Sequence, residues 1–127
     1  MPHPFSDLLG IRVTDKRPGF SALAIALNGD HLNPNNVVHG AVMFALADTG
    51  MGVALYPTLA PGELCATIEI KINYFKAVRD GELRCETEVL NRGKTIANLQ
   101  SKVLQGNTLV ALANGNYAIF TPSKINA

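Results

Sequence analysis

Gly40 and Asp48 are the residues of this chain whose types and spacing most invite chemistry. They stand eight residues apart in GAVMFALADTGMGVALY (40–56), an apolar run of helical length holding a single carboxylate. Burying a carboxylate is expensive unless it is satisfied, so something must hold Asp48 there. It lies beyond the first turn, where it can neither cap free N–H groups nor gain much from the helix dipole. One reading is structural, an acid hydrogen-bonded to a loop backbone. The other is chemical. A helix starting at Gly40 offers unpaired N–H groups to a carbonyl oxygen that becomes an oxyanion, and glycine lets a ligand approach the backbone closely. Asp48 would then be nucleophile or general base. Eight helical residues span ~12 Å, and a reacting carbonyl needs each group within about 3 Å. Two antiparallel helices of a two-fold dimer meet that demand, with Gly40 of one chain near Asp48 of the partner subunit. If the pair is catalytic, the enzyme is a dimer with two shared sites.

The surrounding elements follow from periodicity and punctuation. Residues 1–10 form a short lead-in with one helical turn. Residues 11–15 and 19–28 read as strands split by the turn Arg17-Pro18-Gly19. A loop rich in Asn, Asp, Gly and Pro (29–38) leads to the helix 40–56, which stops before Pro57. Its apolar residues surround it, the pattern of a buried helix. Strands follow at 66–75, 82–90, 94–104 and 107–120, with tight turns at Arg92-Gly93-Lys94 and Gln105-Gly106-Asn107. Alternation puts Ile68, Ile70, Ile72 and Tyr74 on one face and Glu69, Lys71, Asn73 and Phe75 on the other. The expected architecture is α+β, an antiparallel sheet wrapped around one long central helix, with the last four strands as a meander. One helix cannot cover both faces of such a sheet, so apolar strand surface is left for a partner subunit.

Composition bounds the partners. The 127 residues fit a single domain, 1–127, and at 47% hydrophobic against 17% charged they can build a core. A formal net charge of +1 gives no basic field for nucleic acid. The N-terminus has no basic and apolar leader pattern, and no apolar run approaches the ~18 residues of a membrane span, so a cytoplasmic location is the default. Cys65 and Cys85 have no metal or redox spacing. A hairpin turning near Val78 and Arg79 would set them roughly 23 Å apart, too far for a disulfide, and both read as buried thiols. No Cys/His cluster indicates a metal, and no cofactor motif is present.

Asn33, His39-Gly40, ALAD ending at Asp48, TIEIKINYFKAVRDGE and NRGKT together resemble the hotdog-fold thioesterases, most closely the phenylacetic-acid-pathway (PaaI-like) acyl-CoA thioesterases, over roughly residues 5–120. The resemblance implies hydrolysis of an acyl- or aryl-CoA thioester to free acid and CoA, with CoA part of the substrate and no separate cofactor. It implies that the Gly40 N–H polarises the carbonyl and Asp48 attacks it or activates water. Asn33 would orient the water or carbonyl, His39 would order the loop and helix start, and Thr67 would assist near the acid. Arg92, Gly93 and Lys94 would contact CoA phosphates, with Lys76 and Arg79 weaker candidates, and Asn73 would join the substrate contacts. A homodimer, and from the family a tetramer, is implied. Two departures stand out. Ala41 occupies a position where the family often has a second glycine. Strict alternation turns Thr67 away from the isoleucine face, so it reaches the acid only through a bulge or strand end.

The bland readings are specific too. His39 alone is a loop histidine, Arg92 and Lys94 a solvated hairpin tip, and His3 and His31, without partners by spacing, surface residues. Met43, Phe44, Met51 and Tyr56 are mostly core. A hotdog dehydratase with His39 as base and a non-enzymatic acyl-CoA sensor are the competing functions. A pure binder, however, needs no acid beside the carbonyl.

Overall fold

The computed structural model describes residues 2–122. A short helix α1 (Pro4–Leu9) leads into β1 (Ile11–Arg17) and β2 (Phe20–Ala26), then a 3-10 turn (Gly29–His31) and the long helix α2 (Gly40–Leu55). Four strands follow: β3 (Leu64–Tyr74), β4 (Glu82–Arg92), β5 (Ile96–Gln105) and β6 (Thr108–Phe120). All strand pairs are antiparallel, in one six-stranded sheet of order β1-β2-β4-β5-β6-β3. The sheet wraps α2, which is the hotdog arrangement.

The strand order corrects the expected four-strand meander. Only β4, β5 and β6 follow one another, while β3 pairs with β6 at the far edge, from Leu64 opposite Phe120 to Tyr74 opposite Ala111. The supposed hairpin tip at Val78 and Arg79 is a crossover instead. Val78 is buried, its carbonyl accepts the Val38 N–H (2.7 Å), and the Gly81 carbonyl accepts the Leu27 N–H (2.9 Å). These bonds tie residues 75–81 to the end of β2 and the approach to α2, and so bring β4 against β2. The two cysteines are therefore separated by strands, not by ladder length. Cys65 lies opposite Ile119 and Cys85 opposite Leu23 and Val103. Both are free, but only Cys85 is buried, and Cys65 is half-buried.

The core lies between α2 and the concave sheet face. Leu46, Met51 and Leu55 are wholly buried there with Leu23, Ile25, Leu83 and Leu99. Buried hydroxyls set the rotation of the helix. Ser21 donates to the Gly50 carbonyl (2.7 Å) and Ser101 to the Ala47 carbonyl (2.9 Å). The helix is not covered all round by its own chain. Gly40, Phe44, Asp48 and Gly52, one turn apart, are only half-buried, so they form a stripe opening to one flank. That flank is bordered by the edge strand β3, on which Ile68 and Tyr74 are 53% and 50% exposed.

Candidate active site

The acid is held by two hydroxyls. Thr67 Oγ1 donates to Asp48 Oδ1 (2.9 Å), and the Tyr117 hydroxyl donates to the same oxygen. That hydroxyl also lies 2.8 Å from the Asp48 carbonyl oxygen. Thr67 reaches Asp48 because the β3–β6 register slips between Thr67 and Glu69. Such a bulge reverses the side-chain parity of the strand. Ile70 and Ile72 pack into the core and Tyr74 meets Gly40, all beyond the slip, while Thr67 faces the helix before it. Ile68, expected beside the other isoleucines, is turned outward.

Tyr117 was not among the residues singled out from the sequence. It sits on β6 opposite Thr67 and is 4% exposed. Burial, and then its hydrogen bond to the Asp48 carboxylate, push its hydroxyl above the ordinary phenol range, so it stays protonated. A signal was available. Ala113, Gly115, Tyr117 and Ile119 alternate along one buried face, and a buried tyrosine hydroxyl needs a partner, as does an acid in an apolar helix.

The other end of the stripe is the helix N-terminus. His39 caps it, its Nδ1 accepting the Ala41 N–H (2.9 Å) while its own N–H donates to the His31 carbonyl (2.9 Å). Among the described residues the Gly40 N–H has no hydrogen-bond acceptor. Tyr74 donates its hydroxyl to the Gly40 carbonyl (2.9 Å), and its ring would stand 3.1 Å from a Cβ on residue 40. An open cleft of about 310 Å³ lies beside them, lined by Gly40, Met43, Tyr74, Phe75 and Lys76 among others. Asn33 shapes the loop that feeds this helix. Its Oδ1 accepts the Asn35 and Val37 N–H groups (2.8 and 3.4 Å), leaving the side-chain NH₂ without a partner among the described residues.

Other predicted positions stand elsewhere. Arg92 pairs with Glu63 (3.2 Å) and donates to Thr58 Oγ1 (3.2 Å), so its charge ties β4 to the loop after α2. Gly93 serves the turn itself, since a Cβ there would fall 2.4 Å from the Ile96 carbonyl oxygen. Lys94 is exposed and has no ion-pair partner among the described residues. Asn73, between Ile72 and Tyr74, projects from the opposite face of β3, away from Gly40 and Asp48. His31 is not a surface residue. It is 3% exposed, with Nδ1 accepting the Asn28 N–H (2.9 Å) and Nε2 bonded to the Leu9 carbonyl (2.9 Å). His3 is exposed and caps α1. Among the described residues no helix is long and apolar enough to cross a membrane.

The sequence profile of the Thioesterase superfamily matches residues 35–111, the segment that carries α2, β3, β4 and β5. An Archaeoglobus fulgidus protein named "Putative esterase" is 35% identical over 111 residues, covering 86% of this chain and 70% of its own length. Among solved structures, conserved protein PA5202 from Pseudomonas aeruginosa is 31% identical with a TM-score of 0.86, over 94% of this chain and 96% of that one. Phenylacetic acid degradation protein PaaI from Thermus thermophilus is 26% identical with a TM-score of 0.84, over 91% of this chain and 98% of that one. With a profile match over more than half its length, on a sheet wrapped around one helix that carries an acid, this chain belongs to the thioesterase superfamily and is a hydrolase acting on thioesters.

Proposed function

We propose that this protein hydrolyses an acyl- or aryl-CoA thioester to the free acid and CoA, at a site completed by a second subunit. One observation carries the reading: a Gly40 N–H without an acceptor among the described residues and the Asp48 carboxylate share one open stripe of α2. They are ~12 Å apart along it. A two-fold axis across this flank, beside the edge strand β3, would lay Gly40 of one protomer against Asp48 of the partner subunit. The thioester oxygen accepts the Gly40 N–H, which strengthens as charge develops on that oxygen. Asp48 either attacks the carbonyl carbon, expelling the thiolate and leaving an acyl-aspartyl anhydride that water then hydrolyses, or takes a proton from the attacking water. The sulfur leaves as the thiolate and is protonated to CoA. His39 acts by holding the helix start, and the free NH₂ of Asn33 is the group left to orient the water or carbonyl. Lys94, which has no ion-pair partner among the described residues, supplies a cation for CoA phosphates. Arg92 can serve them only by sharing or releasing Glu63.

The dehydratase alternative needs a histidine base, and His39 Nδ1 is already committed to Ala41. The test is thiol release from a panel of aryl- and acyl-CoA thioesters, with enoyl absorbance followed in parallel. Wild type is expected to release thiol, and Asp48→Asn and Asp48→Ala to lose ~10²-fold or more in kcat while remaining folded. Variants as active as wild type would make Asp48 structural. No thiol release from any substrate would favour the sensor.

A further inference from the structure

Tyr117 has no part in the chemistry proposed above, yet it makes a direct hydrogen bond to the acid on which that chemistry depends. Both donors to the Asp48 carboxylate, Thr67 and Tyr117, converge on Oδ1. No donor among the described residues reaches Oδ2. Among those residues no buried side-chain oxygen or nitrogen lacks a partner, so Oδ2 must open to the surface. A carboxylate turns about a broad, roughly two-fold torsion, so without directed donors its two oxygens would exchange places. Two hydroxyls on one oxygen select one orientation.

We infer that Tyr117 is a positioning residue: with Thr67 it occupies Asp48 Oδ1 and presents Oδ2 as the oxygen that does the chemistry. This rests on the reading of Asp48 as the reactive acid. Tyr117 is nearly inaccessible and stands behind Asp48, so it acts through the carboxylate and not on substrate. Burial disfavours loss of its proton, so the hydroxyl stays a donor. In the water route the balance is simple. Oδ2 takes one proton from water as the water oxygen bonds the carbonyl carbon. The C–S bond then breaks, the electron pair leaves with sulfur, and the proton passes from Oδ2 to the thiolate. The carboxylate is restored, with one carboxylic acid and one thiol as products.

The experiment compares wild type, Tyr117→Phe and Asp48→Asn by thiol release on the best substrate of the panel, with thermal unfolding of each. Tyr117→Phe removes only the hydroxyl. It is expected to keep KM within about twofold and to lower kcat roughly tenfold, the loss of one directed hydrogen bond to a charged group. A merely structural role would not separate kcat from KM in a folded variant. If Tyr117→Phe keeps wild-type kcat, or changes only KM, while Asp48→Asn is inactive, the inference falls and the proposed function survives. An active Asp48→Asn overturns both. Should Tyr117→Phe not fold, Thr67→Val on the exposed edge strand removes the other Oδ1 donor. The same kcat loss at constant KM supports the inference, and unchanged kcat overturns it.

Discussion

At Asp48 the carboxylate meets two hydroxyls and, among the described residues, no cation. An arginine there would bind the charge bidentately and occupy both oxygens, whereas hydroxyls on one oxygen leave the other free to react. Loss of the acid in Asp48→Asn, read as kcat for thiol release, and loss of the Tyr117 hydroxyl, read as the separation of kcat from KM, are the predictions at this scale. Cys85 provides a third. Burial pushes its thiol up to about 11, although the neighbouring Thr87 and Ser101 hydroxyls pull the other way. A raised thiol pKa means less of the reactive thiolate at a given pH, and burial also denies a reagent access. Alkylation followed by mass spectrometry should leave Cys85 unlabelled in the native protein and label it in urea. Labelling of native Cys85 at the rate of a free thiol would contradict its burial.

At the scale of elements, α2 must be turned so that its acid looks outward while its apolar sides meet the sheet. The Ser21 and Ser101 hydroxyls grip the carbonyls of Gly50 and Ala47, and Thr87 bonds Ser101 (2.6 Å) behind them. Gly50 allows this approach, since a Cβ there would stand 2.5 Å from Thr87 Oγ1. Alanine is the better helix former by up to about 1 kcal/mol, but the overlap is with a hydroxyl already committed to a buried network. Overpacking of this kind typically costs ~1–3 kcal/mol, so the clash should win. Gly50→Ala is expected to lower the urea midpoint at unchanged m-value, and a midpoint equal to wild type or higher would refute the tight contact. The bulge in β3 is the other element-scale device. It lets one strand present Thr67 to the acid and Ile70, Ile72 and Tyr74 to the core and helix start.

At the scale of the whole molecule, the two halves of the proposed site lie on one flank and cannot meet within a chain. A shared site makes a distinctive prediction. Gly40→Ala places a Cβ 3.1 Å from the Tyr74 ring and crowds the donor, and Asp48→Asn removes the acid, so each variant alone should be weak. Refolded together in equal amounts, they form mixed dimers in which one of the two sites has both native groups. Activity should recover to about a quarter of wild type, because half the dimers are mixed and each has one working site. Recovery absent from a mixture shown by native mass spectrometry to contain mixed dimers would mean that each site lies within one subunit.

Local patterns were enough for much of this. The apolar run between His39 and Pro57 marked α2, alternation marked the strands, and the eight-residue spacing of Gly40 and Asp48 already required a second subunit if the two act together. These depend on residues a few positions apart, where chain geometry is nearly invariant. Tertiary structure alone decided the pairing of β3 with β6, the crossover at Val78, the commitment of Arg92 to Glu63 and the hydroxyls on Asp48. Thr67 is 19 residues from that acid and Tyr117 is 69. No local period links such positions. What joins them is which strand edge was free and where the ladder slipped, choices made by the packing of the whole sheet around the helix.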